Sequence, residues 1–307
     1  MVYMIELLNL QLTIFLLIFV GFIIKRLKII GNEGQKNLND LVIYVILPCN
    51  ILKAFMVEFE ESMFLEFLEV LFLSIGVQVL FVIYGKIVFR KQETGKRKCL
   101  QYGTICSNAG FLGNPVAEGV FGSYGLVLAS IFLIPMRIMM WSEGLATFSG
   151  DKDMKNTMKK VCTHPCILAC VLGIILMVTG FRFFEPITKT ITYLGNCNTA
   201  MSMLIIGMIL EAIDLKEFFD TTVLMYSFHR LVLLPLIVLG CIYFLPVSKV
   251  VIGVIVLLSA MPAGATTSIL ASKYNMEPEF ATKMVITSTL LSIPTICIWS
   301  IFLTSVI

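Results

Sequence analysis

Residues 100–122 form an apolar segment of membrane-spanning length that cannot be one regular helix. From Cys106 to Gly122 it reads CSNAGFLGNPVAEGVFG. Gly110 and Gly113 weaken a helix, and Pro115 removes a hydrogen bond and clashes with the preceding turn. Asn108 and Asn114 carry amides that hydrocarbon cannot satisfy. Irregular backbone at membrane depth survives only when it is buried in protein or lines a wet cavity. The segment is therefore either a discontinuous transmembrane helix with a binding site at its break or a proline-kinked helix packed through its glycines. A second copy of the feature, late in the chain, favours the first reading.

Of 307 residues, 58% are hydrophobic and 14% charged, against about 25% charged in soluble domains. The fold class expected is an all-α polytopic membrane protein. The first apolar segment lacks a basic start and runs into Lys25 and Arg26, so it reads as a retained helix. The nine cysteines fall mostly in apolar segments, where a thiol packs as a small hydrophobe, and imply no disulfide framework. Cys162, His164, Cys166 and Cys170 have ligand-like spacing, but Pro165 lies among them and two belong to the following span. Ordinary helix packing is preferred over zinc there. No metal, cofactor or nucleic-acid partner is expected.

Ten apolar segments can be read, each near the ~20 residues a bilayer requires. They run from Leu7 to Ile24, Leu38 to Met56, Phe64 to Phe89, Leu100 to Gly122, Leu126 to Phe148, Pro165 to Val178, Ile187 to Ile209, Thr221 to Phe244, Val247 to Lys273 and Phe280 to Ile307. Seventeen lysines and arginines fall in the loops after the odd-numbered segments and four on the opposite side. Basic loops stay cytoplasmic, so both termini are expected outside, in a multi-pass protein of the cell membrane.

The two halves match in layout. Residues 1–148 hold five spans, 149–164 a cytoplasmic linker, and 165–307 five more that enter the membrane inverted. Segment four has its counterpart in segment nine, where Pro262, Ala263 and Gly264 interrupt an apolar run. Paired interruptions in corresponding positions point to an inverted-repeat carrier. Half-helix starts favour an anion and half-helix ends a cation. Asn108 and Asn114 can donate to a carboxylate, while Gly110, Gly113, Ala263 and Gly264 let a small solute approach backbone.

Ionisable groups at membrane depth are costly and therefore suspect. Arg137 is deep enough to balance an anion or to pair with a carboxylate. Glu118 follows the first break, or else sits near the outer interface. His229 could carry a proton or merely pack, Arg230 could function or snorkel, and Gln78 adds an uncharged polar candidate.

The stretch Asn108-Ala109-Gly110-Phe111-Leu112-Gly113-Asn114-Pro115, together with Ala260-Met261-Pro262-Ala263-Gly264 and ten spans about a charged centre, resembles the auxin efflux carrier family. That family holds plant carriers and bacterial members described as malate permeases, and the short central loop is similar to the bacterial ones. The resemblance implies a five-plus-five inverted repeat similar to sodium/proton antiporters and bile-acid transporters. Helices four and nine would be the broken, crossing pair. Spans one, two, six and seven would form a scaffold and homodimer surface, and spans three to five and eight to ten a mobile transport domain. It also implies organic-anion substrates, and carries the motif positions Phe111, Pro115 and Pro262 into the candidate site. One departure is that span seven reads Thr199-Ala200-Met201-Ser202-Met203 where a proline matching Pro48 is expected.

The expected function is secondary active transport of small organic anions, malate-like or auxin-like, by an elevator mechanism, with a proton or sodium ion as the coupling candidates. The alternatives are a cation/proton antiporter of the same fold, which needs a carboxylate at the crossing, and a channel. No membrane Ser–His or paired-Asp arrangement supports an enzyme, and no GxxxxGK loop supports an ATP-driven pump.

Overall fold

The computed structural model describes residues 2–56, 61–149, 162–211 and 220–306, so the basic central loop 150–161 lies outside it. The described residues are helical apart from turns and short extended links. Among the described residues six runs are long and apolar enough to cross a bilayer: Asn32–Phe55, Met63–Val88, Ala109–Phe148, Glu185–Leu210, Thr221–Ile242 and Pro278–Val306. The run Ala109–Phe148 is not one rod. Gly122 adopts φ 69° and ψ −167°, a backbone that L side chains resist, and the helix is interrupted there.

In chain order the helices are α1 (Val2–Arg26), α2 (Asn32–Leu41), α3 (Leu47–Phe55), α4 (Glu61–Val88), α5 (Thr94–Ile105), α6 (Asn114–Met139), α7 (Leu145–Ser149), α8 (Pro165–Thr179), α9 (Glu185–Asn196), α10 (Asn198–Leu210), α11 (Thr221–Phe228), α12 (Leu234–Ile242), α13 (Lys249–Ser259), α14 (Thr266–Lys273) and α15 (Pro278–Val306). Three helices that carry a proline in their first turn continue directly from another helical turn: α3 with Pro48, α6 with Pro115 and α12 with Pro235. Each follows a wider π-helical turn, at Val42–Ile46, Ala109–Gly113 and His229–Leu233. A proline ring strikes the carbonyl four residues back in a regular helix. The wider turn moves that carbonyl away, so the chain continues past the proline.

α1 packs along α10, and α3 along α8 and α9. The first contact is close because Gly21 and Gly207 leave room. A Cβ at Gly21 would stand 2.2 Å from the Leu204 carbonyl oxygen, and one at Gly207 would stand 1.9 Å from that of Ile18. A second set of contacts joins α6 to α4 and α13, and α15 to α11 and α14. α13 is apolar on every side and buried from Val251 to Ser259, as a helix enclosed by protein must be. The missing proline in span seven does not keep that span continuous. α9 gives way to α10 at Cys197, where Gly195 brings the chain against the Asn50 backbone.

Candidate functional site

The two interruptions meet. α5 ends at Ile105 and α13 at Ser259, and both chains become extended before helix resumes. Ser107 pairs antiparallel with Ala263. Asn108 N–H donates to the Pro262 carbonyl at 2.8 Å, and Gly264 N–H donates to the Cys106 carbonyl at 2.9 Å. Each break thus supplies hydrogen bonds that the other lost on leaving the helix, which is how unwound backbone survives away from water. The approach is tight at Gly264, where a Cβ would lie 3.1 Å from the Cys106 oxygen and 3.2 Å from that of Ser107.

A cavity of about 180 Å³ lies against this crossing. Ser107, Asn108, Gly110 and Phe111 line it from the first break, and Gly264, Ala265 and Thr266 from the second. Ile43, Leu47, Ile205, Ile206 and Ile209 form the facing apolar wall. Arg137 adds a positive charge. It is only 6% exposed, lines the cavity, and its Nη2 would lie 3.7 Å from a Cβ at Gly110. The lining residues include no aspartate or glutamate. At the mouth stand Asn39 and His164. His164 caps α8, accepting from Cys166 N–H through Nδ1 at 3.3 Å. Burial first, and the Arg137 charge second, hold its pKa down to about 4, so the ring is neutral at physiological pH. A second space of about 390 Å³ adjoins the first and shares Asn39, Ile205, Ile209, Ala265 and Ile269 with it. Asn32, Gln35, Lys36 and Thr282 carry it toward the basic loop that follows α1.

The candidates read from sequence therefore separate. Asn108, Gly110, Phe111, Gly264 and Arg137 share the cavity. Gly113, Asn114, Pro115, Pro262 and Ala263 are buried behind it and are not among its lining residues. Neither amide atom of Asn114 has a hydrogen-bond partner among the described residues. Glu118 pairs with Lys53 at 2.9 Å instead of facing the cavity. His229 contacts the Tyr84 hydroxyl. Gln78 is buried in α4 with its Oε1 unpartnered among the described residues. Arg230 does not snorkel: it is fully buried, with its guanidinium 4.9 Å from the centre of the Phe81 ring. Among the described residues no three His, Cys, Asp or Glu side chains gather as metal ligands. Sequence reasoning passed over Asn39, Ser107, Met136 and Met140, and weighed His164 only as a zinc ligand. Ser107 adjoins the first break and was within reach of it. Asn39 and His164 come from distant segments; Asn39 carried no signal, and the spacing of His164 to its neighbouring cysteines does not point to this cavity.

Comparison with known proteins finds relatives along almost the whole chain. An uncharacterized transporter of Methanothermobacter thermautotrophicus is 28% identical over 296 residues, covering 95% of this chain and 97% of the relative. One from Methanocaldococcus jannaschii is 27% identical over 299 residues, covering 94% and 96%. A Rhizobium meliloti protein with the provisional name of malonate transporter is 22% identical over 318 residues, covering 95% and 94%. The chain is a transporter and not an enzyme. Since the profile described as "Membrane transport protein" matches residues 7–300, the chain belongs to that family, the auxin efflux carrier family its two motifs resemble.

Proposed function

We propose that the protein is a secondary carrier of small organic anions, with its substrate site in the cavity at the crossing. The observation that carries this reading is Arg137, a buried cation facing a cavity whose lining has no carboxylate to neutralise it. A substrate carboxylate would supply the missing charge, and Asn108 and the backbone of the crossing would orient it. The apolar wall suits the carbon skeleton of a small acid. The cation/proton antiporter alternative needs a titrating carboxylate at the crossing, and Glu118 is engaged elsewhere. The provisional malonate name of one relative is in keeping with a carboxylate substrate. In this reading α1, α3 and α8–α10 stay fixed as the scaffold of a homodimer, while the helices carrying the crossing move as an elevator across the cell membrane.

The test is uptake of labelled mono- and dicarboxylates into proteoliposomes, with and without proton or sodium gradients. At least one acid should be transported with saturation. Arg137→Gln should weaken its binding by about 30-fold or more, as expected for losing ~2–5 kcal/mol at a buried charged hydrogen bond. Arg137→Lys should recover part of the loss. Unchanged affinity in folded Arg137→Gln protein would remove the anion site from this cavity.

A further inference from the structure

We infer that Lys53 and Glu118 form the gate that closes the far side of the substrate cavity, an inference that rests on the alternating-access reading above. Three of the elements that line the cavity carry polar residues farther along their length. On the Asn32–Phe55 run, Ile43 and Leu47 line the cavity, Asn50 occupies the next turn of that face, and Lys53 lies one turn beyond. Past the first break Phe111 lines it from the π-helical turn, and Glu118 lies seven positions on, in α6. On α10, Ile209 and Ile205 line it, while Ser202 and Asn198 precede them at helical spacing.

These polar residues meet. Lys53 Nζ donates to Glu118 Oε1 at 2.9 Å and to Asn196 Oδ1 at 3.1 Å. Asn50 Nδ2 donates to Glu118 Oε2 at 3.3 Å and to the Gly195 carbonyl at 3.2 Å. Asn198 Nδ2 donates to Asn50 Oδ1 at 3.4 Å, and Ser202 Oγ to Asn198 Oδ1 at 3.3 Å. Asn50 and Asn198 are buried, whereas the side chains of Lys53 and Glu118 each keep 20% exposure. The ion pair therefore stands where the seam between the helices reaches the protein surface, and Asn39 and His164 lie at the other end of the cavity.

Both carboxylate oxygens of Glu118 are bound by α3, and α6 carries Glu118 with the break. Lys53, Asn50 and the α9–α10 residues sit on the other side of the seam. A path from the cavity to the far face must open between these two sides, so these bonds must break for it to open. A partly exposed ion pair suits this, because water replaces its partners as they separate. Asn50 and Asn198 remain joined to each other, so the fixed side keeps its shape while the gate opens.

The experiment uses full-length protein with its native cysteines replaced and a single cysteine introduced by Met136→Cys in the cavity wall. A membrane-impermeant maleimide is applied to each face of the vesicles in turn. With Lys53 and Glu118 intact, labelling should come from the face that carries the mouth. Glu118→Gln and Lys53→Met should each raise far-face labelling several-fold. Combining Lys53→Glu with Glu118→Lys should restore the parental pattern. Parental labelling in both single variants, or a swapped pair that stays open, overturns the gate. Glu118→Asp, which keeps the charge and shortens the reach, stands in if Glu118→Gln does not fold; parental labelling in it is equally fatal. The assay needs no transported substrate, so it separates failure of the gate from failure of the organic-anion reading.

Discussion

Asn108 and Asn114 are six residues apart in one motif, and the fold gives them opposite surroundings. Asn108 lies at the cavity wall with its backbone tied to Pro262. Asn114 opens α6 fully buried, its amide without a partner among the described residues. Replacing an unsatisfied buried amide by an apolar group of similar shape is near neutral or stabilising. Asn114→Leu should therefore keep or raise the melting temperature and leave substrate affinity unchanged. Asn108→Leu should fold and lose saturable binding. A melting curve with a binding isotherm for each variant checks both; equal loss of affinity would place Asn114 in the site after all. The sequence identified both as polar groups in a membrane segment, but not which one faces the cavity. That depends on the π-helical turn Ala109–Gly113, which rotates the residues after it relative to those before. Arg137 was legible because a cation at membrane depth is conspicuous. His164 was not, because its place depends on α8 docking beside α3.

At the scale of the element, the breaks were legible from glycine, proline and amide content, whereas their mutual hydrogen bonding was not. Pairing between distant segments leaves no local pattern in sequence. It changes what the prolines do. If Pro262 alone held its helix open, Pro262→Ala would lift a penalty of ~3 kcal/mol and let helix fill the break. Closing that break, however, would orphan Asn108 N–H and the Cys106 carbonyl in a buried place, at about 1–3 kcal/mol for each group. The two terms are comparable, so the open form should persist in Pro262→Ala with nearly wild-type stability. Gly264→Ala should be worse, because its Cβ meets backbone oxygens that cannot swing aside. Hydrogen exchange at Asn108 and Gly264 reads both bonds directly. The expected order is fast exchange in Gly264→Ala and protected amides in Pro262→Ala. The reverse order would make the proline the determinant of the break.

For the whole molecule, composition indicates the class and the basic loops give an expected sidedness, to which the cavity adds a testable consequence. The space at the crossing continues past Asn39 to Lys36 and Thr282, residues that flank segments whose basic loops are expected in the cytoplasm. The Lys53–Glu118 ion pair is the gate proposed for the far end. This conformation should then be open to the cytoplasm, with both termini outside. A cysteine introduced by Thr282→Cys into cysteine-free protein should react with an impermeant maleimide in inverted vesicles and stay unreacted in intact cells. A C-terminal tag should show the opposite accessibility. Saturating substrate should slow the reaction at the cavity wall, at Met136→Cys, more than at Thr282→Cys, because the wall lies against the crossing and Thr282 in the outer part of the path. Labelling of Thr282→Cys from outside in intact cells would invert the topology, and the basic loops would then face the wrong compartment.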